Sequence, residues 1–220
     1  MTKPTTNNGP AAEPVPEPEL SAYQQQMRRR LLAAPVVPAP EPWRRIAYAP
    51  VGGLLGIGFA SHPRTGQDLV MVVSHDGHGL FDGVTGERIA RARDPQPDCE
   101  ESGPAADPAM SCPGLGPVAG RRVRVAGLFG GGLHTTTGDG WQLEVVAPAW
   151  PYERVLLSRG DALPHSGPHG ERWWHIFHAH YSELRATGFS PSGRTLAVAT
   201  SSDLSLWTRE ADAGGGSGEG

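Results

Sequence analysis

Asp76-Gly77-His78-Gly79-Leu80-Phe81 reads as a turn that opens a strand, and the same pattern returns twice further along the chain. Asp139-Gly140-Trp141-Gln142-Leu143-Glu144 and Ser202-Asp203-Leu204-Ser205-Leu206-Trp207 stand in register with it, so Leu80, Leu143 and Leu206 are 63 residues apart at both steps. Asp-Gly between two β-like runs is a strong hairpin signal, because glycine supplies the backbone freedom that a tight turn needs. Self-similarity at a fixed offset marks a repeated supersecondary unit. It predicts that the three leucines occupy equivalent buried positions, each on a strand after a turn and each in its own antiparallel sheet.

Outward from these turns the pattern stays β-like. Residues 45–51, 54–60 and 68–74 read as strands, the last (DLVMVVS) a compact apolar run bounded by turn signals. A strand through Phe81 and another at 88–91 complete the first unit. The second runs over 121–157, with strands at 141–147 and 154–157, and the third over 185–207, with strands at 185–189, 195–200 and 204–207. Two insertions, 92–118 and 159–172, are rich in Pro, Gly and polar residues. Each is read as following the last strand of its unit, which puts both loops on one face of the array. The triple glycine at 130–132 is surrounded by β-like sequence and leads into no helix, so it reads as a hairpin loop or a close backbone approach, not a phosphate cradle.

The ends of the chain have a different character. Residues 1–43 hold nine prolines and read as a disordered tail, since so few apolar groups cannot offset chain entropy. Within it, residues 19–34 form a proline-free island with Leu20, Tyr23, Met27 and Leu31 at helical spacing, ended by Pro35. This short helix is either a docking element or part of a tether. Residues 210–220 are Gly-rich and acidic, a second disordered tail.

The stretch 186–207 (ATGFSPSGRTLAVATSSDLSLW) resembles the inner strands and hairpin of a WD40-type β-propeller blade. His180 stands near the family's Gly-His position and Trp207 at its Trp position, although Ala179 and Thr208 replace the Gly and the Asp. Residues 70–90 are similar to a blade through Asp76-Gly77, Phe81-Asp82 and Thr85-Gly86-Glu87; the middle unit is similar only weakly. The resemblance implies an all-β domain at 44–209, a small or incomplete β-propeller-like array of antiparallel blades, with a β-trefoil as the alternative. Three blades are fewer than a ring normally closes with. A degenerate fourth blade around 159–181, a second chain, or a partner is expected to cover the exposed edges.

Composition excludes several functions. Net charge is −4 and pI about 6.1, against a broad grip on nucleic acid. Lys3 is the only lysine among 19 basic residues, so a P-loop lysine, a Schiff-base lysine and a Ser-Lys dyad all lack their key group. No run approaches a membrane-spanning length and no secretory signal is visible, which makes cytoplasmic residence the expectation. Cys99 and Cys112 lie in one polar stretch; in that compartment unpaired thiols are expected, and an oxidising one would allow a local disulfide.

Residues 173–181 (WWHIFHAHY) hold the richest mix of aromatic and titratable groups. Trp173, Trp174, Phe177 and Tyr181 are the candidate partner-binding residues, because large desolvated aromatics concentrate binding energy. His175, His178 and His180 are the candidate metal ligands of an alternative reading, a metal-binding or hydrolytic enzyme. They match no defined zinc motif, and the blade resemblance assigns His180 a structural role instead. Ser74-His75-Asp76-Gly77-His78 pairs imidazole with carboxylate but reads as turn chemistry. No catalytic residue and no cofactor is assigned. The sequence is read as a non-catalytic protein-interaction module that displays loops to a protein partner or a second copy of itself, with neither nucleic acid nor membrane as its target.

Overall fold

A computed structural model describes residues 19–93, 111–160 and 167–210. The described chain is one helix followed by fourteen short strands in antiparallel sheets. Strands β2 (Leu54–Ser61), β3 (Asp68–Ser74), β4 (Gly77–Asp82) and β5 (Arg88–Ala92) form a meander. To its first strand is added β8 (Ala126–Gly127), and a small pair, β6 (Ser111–Pro113) and β7 (Arg122–Arg124), stands beside it. A three-stranded sheet holds β9 (Trp141–Ala149), β10 (Tyr152–Arg159) and β11 (Trp173–Ala179). The last sheet is split across the chain: β12 (Leu184–Phe189), β13 (Thr195–Thr200) and β14 (Asp203–Thr208) take β1 (Arg44–Pro50) as their fourth strand. The two ends of the β region are thus hydrogen-bonded together, which protects the edge of β14.

Side-chain alternation makes these sheets a stack. In β13, Leu196 and Val198 meet Trp43, Trp141, Leu157 and Phe189 on one face. Ala197 and Ala199 meet Leu54, Val70, Val72 and Phe81 on the other. The split sheet is therefore the middle layer, buried on both faces, which is why all six residues of β13 are buried. In β3, Val70 and Val72 face this middle layer, while Leu69, Met71 and Val73 pack on Cys112, Val118 and Val123 beneath the small pair. At the other end, Leu156 and Trp173 leave the three-stranded sheet outward and are covered by Leu31 and Ala34.

The outer cover is the helix α1 (Ala22–Ala33), inside the expected span of 19–34. Ser21 and Gln24 form a reciprocal capping box that satisfies two orphan N–H groups. Arg154 donates to the carbonyls of Leu31 and Ala34 at the helix C-terminus, where a cation also suits the dipole. Arg28 donates to Pro148 O, and Val37 N–H to His175 O, so the chain after the helix runs on along β11. The island is a docking element on its own sheet. Residues 1–18 and 211–220 lie outside the described residues, whereas 19–43 of the expected N-terminal tail are described, with Ala34 and Trp43 buried.

Four expectations are corrected. Leu80, Leu143 and Leu206 are all buried, in three different sheets, and all face the same way along the stack. Only Leu80 and Leu206 are equivalent, however. Each lies on the third strand of its sheet, opposite Met71 and Ala90 in one and Ala197 and Ala47 in the other. Leu143 lies one strand earlier, between Leu157 and the short run Thr135–Thr137, so the repeat slips by a strand at its middle member. Second, the described residues of 159–181 form no separate fourth unit; their strand β11 completes the three-stranded sheet. Third, the insertions leave from opposite ends. Ala92, opposite His78, ends β5 beside the β3–β4 turn, whereas Gly160 bonds Gly140 at the other end of the strands. The reason is topological: the first insertion follows β5, the last strand of its meander, whereas the second joins β10 to β11 within one sheet. Fourth, Cys112 is disulfide-bonded, not a free thiol; Cys99, the other cysteine, lies outside the described residues.

Polar contacts tie the layers together. Asp68 Oδ2 accepts from the hydroxyls of Ser190, Ser192 and Thr195, joining β3 to the turn before β13. Arg209 makes a bidentate pair with Asp139 while its guanidinium covers the Trp43 ring at 5.0 Å. That pairing, first of all, holds the Asp139 carboxyl well below the usual range.

Candidate functional site

The strand β11 and the two residues after it carry the residues singled out from the sequence, and the strand's alternation divides them. Trp173 is 0% exposed on the outer face, its indole N–H on Gly167 O, the His169 ring 4.7 Å away and the Arg30 guanidinium 5.7 Å away. Trp174 turns to the opposite face, half-buried against Trp141 with its N–H on Gly170 O. Phe177 is half-buried against the same inner core. Tyr181, beyond the strand, is 91% exposed. The four aromatics do not form one patch.

The three histidines are brought near one another. Ring centroids are 5.7 Å apart for His175 and His178, and 5.0 Å for His178 and His180. His175 is buried, His178 half-buried and His180 exposed, its Nδ1 near His178 O within the same segment and not across strands. Among the described residues no group of three or more His, Cys, Asp or Glu is placed to hold a metal ion. His175 has a structural environment of its own. Nδ1 lies 3.0 Å from Ala34 O, an acceptor, so the proton sits on Nδ1. Nε2 is buried without a partner. Burial lowers this histidine to about 4; the Arg154 and His178 charges push the same way and the bond to Ala34 opposes them.

A pH dependence follows. The folded value lies below the ordinary histidine value, so the fold prefers the neutral ring. Its contribution is complete above about pH 6.5 and is lost as pH falls through about 4. Between pH 7 and 4 the wild type is expected to lose about 2 kcal/mol more than His175→Asn, an amide that keeps a donor for Ala34 O. Urea midpoints across this range measure the difference; parallel curves would remove His175 as the source.

A second group of aromatics escaped the sequence reading. Trp150 is 81% exposed at the turn between β9 and β10, and Tyr152, next along, is 48% exposed. Tyr152 pairs with Ala149 and Glu153 with Ala179, so the register brings Trp150, Tyr152 and Tyr181 to the same end of the sheet. The His180 ring lies 3.7 Å from the Tyr181 ring, tilted by 49°. The available signal was the two-residue turn Trp150-Pro151 between two β-like runs: a side chain in so short a turn cannot reach the core.

Comparison with known proteins finds no matching family model, curated protein or solved structure. No described helix is long and apolar enough to cross a membrane.

Proposed function

We propose that this protein is a non-catalytic protein-interaction module built on an incomplete, propeller-like row of β blades. Three features support the blade reading over a trefoil. Two sheets contain meanders of consecutive strands, the N-terminal strand completes the C-terminal sheet, and successive sheets pack face to face in one sense. The row stays open because its two end faces are capped from within, by α1 and by the disulfide-bearing β6–β7 pair.

The observation that carries the interaction role is the exposed trio Trp150, Tyr152 and Tyr181. Three large aromatics held in water at the end of rigid strands are the residue types that dominate protein interfaces. They replace Trp173 and Trp174 as the proposed anchor, and the partner is another protein or a second copy of this chain. The disulfide at Cys112 favours an oxidising compartment over the cytoplasmic residence expected from the sequence.

The test compares wild type with Trp150→Ala/Tyr181→Ala by sedimentation velocity and by quantitative retention of a stoichiometric partner. Loss of two anchors is expected to weaken association at least thirtyfold, about 2 kcal/mol, with thermal unfolding unchanged. A wild type that is monomeric and retains no partner, or a variant that associates normally, would overturn the reading.

A further inference from the structure

A separate cavity of about 520 Å³ opens where the first strands of two sheets face each other. Its walls are the end of β2 (Phe59 to Ser61), the β7 segment, residues 132–134 and Pro191. Backbones cross here unusually closely. A Cβ on Gly58 would stand 2.0 Å from Arg124 O, and one on Gly188 would stand 2.3 Å from Leu133 Cβ. Both positions are glycine because β7 and the following loop lie directly on β2 and β12.

The charge of this cavity is one-sided. Arg121, Arg122 and Arg124 line it with His134, and among the described residues no acidic side chain does. In β7, Val123 is driven into the core beside Cys112 and Val118, so Arg122 and Arg124 project together from the other face. Arg122 is held by Ser111, through Oγ at 2.8 Å and O at 2.6 Å. Arg121 and Arg124 are exposed, and neither side chain has a hydrogen-bond or ion-pair partner among the described residues. Phe59, Leu133 and Pro191 supply an apolar floor. The chain as a whole carries −4, so a cavity lined by three arginines runs against its overall charge.

We infer that this cavity binds a short acidic segment of a partner protein, with its carboxylates on Arg121 and Arg124 and its apolar side chains on the floor between them. Arginine's planar fork suits carboxylates. A bare oxyanion would leave the apolar floor unused, and a long polyanion would be repelled by the rest of an acidic chain. The inference stands on the cavity and is independent of the aromatic trio.

The test is fluorescence anisotropy with a labelled eight-residue peptide of alternating Glu and Leu. Binding is expected to weaken at least tenfold between 50 and 500 mM salt, and at least tenfold in Arg121→Gln/Arg124→Gln. The control Arg88→Gln/Arg91→Gln, an equal loss of charge on β5, should bind as wild type. Arg121→Gln alone, expected to lose about threefold, serves if the double variant unfolds. Several results would overturn the inference: no binding, unchanged binding in the cavity variants, an equal loss in the control, displacement by millimolar inorganic phosphate, or tighter binding of an eight-nucleotide thymidine strand.

Discussion

Trp173→Ala is expected to cost about 3–5 kcal/mol and to release the N-terminal helix from the sheet, the largest effect of any single truncation on this face. The indole fills the space between the three-stranded sheet and the chain that leaves α1, with Leu156, Leu31 and Ala34 around it. Its removal leaves a cavity and also strips Arg30 of its aromatic partner and Gly167 O of a donor. Hydrogen exchange should show the amides of α1 losing protection together with Val37, whose N–H bonds β11. Tyr181→Ala, a few residues on, should leave stability within about 0.5 kcal/mol, because its side chain is in water. Equal effects at the two positions would contradict the burial described.

Gly58→Val is the second large effect. The new side chain has no room against Arg124 O and Val123, and backbone cannot swing away as a flexible side chain could. Overpacking of this kind is expected to cost about 3 kcal/mol or more, and to open the seam between β2 and β7. Gly52→Ala, where nothing lies within 4 Å, is the matched control and should be close to neutral. Chemical denaturation of the two variants measures the contrast. A tolerated valine would mean that β7 does not cross β2 at this distance.

Local rules made most of the strands legible. The run at 68–74 is read with its true ends, because an apolar stretch bounded by turn residues needs no tertiary information. The same holds for 195–200; the hairpin at Asp76-Gly77 also forms, though one residue earlier than read, with His75-Asp76 as the turn and Gly77 already in β4. The helix after Ser21 was readable from spacing and from Pro35 for a similar reason. β11 was not assigned as a strand, since its aromatic and histidine content gives no clean alternation. Its register with β10 is indeed irregular between Val155 and Leu156.

The candidate site was legible only as a collection of residue types. Trp173, Trp174, Phe177 and Tyr181 form one cluster in sequence, but a pleated strand sends neighbours to opposite faces. What then covers each face decides which of them meets water. On the outer face the cover is α1, from residues some 140 positions earlier, and that distant packing buries Trp173 and His175. The chain's sequence by itself determined the all-β character, the turns and the apolar runs, because these depend on residues within a few positions of each other. Tertiary structure alone decided that β1 joins β14, that Leu143 sits one strand out of step, and that Trp150 and three arginines face solvent. Each of these depends on long-range pairing, whose energy comes from surfaces that meet only once the sheets are stacked.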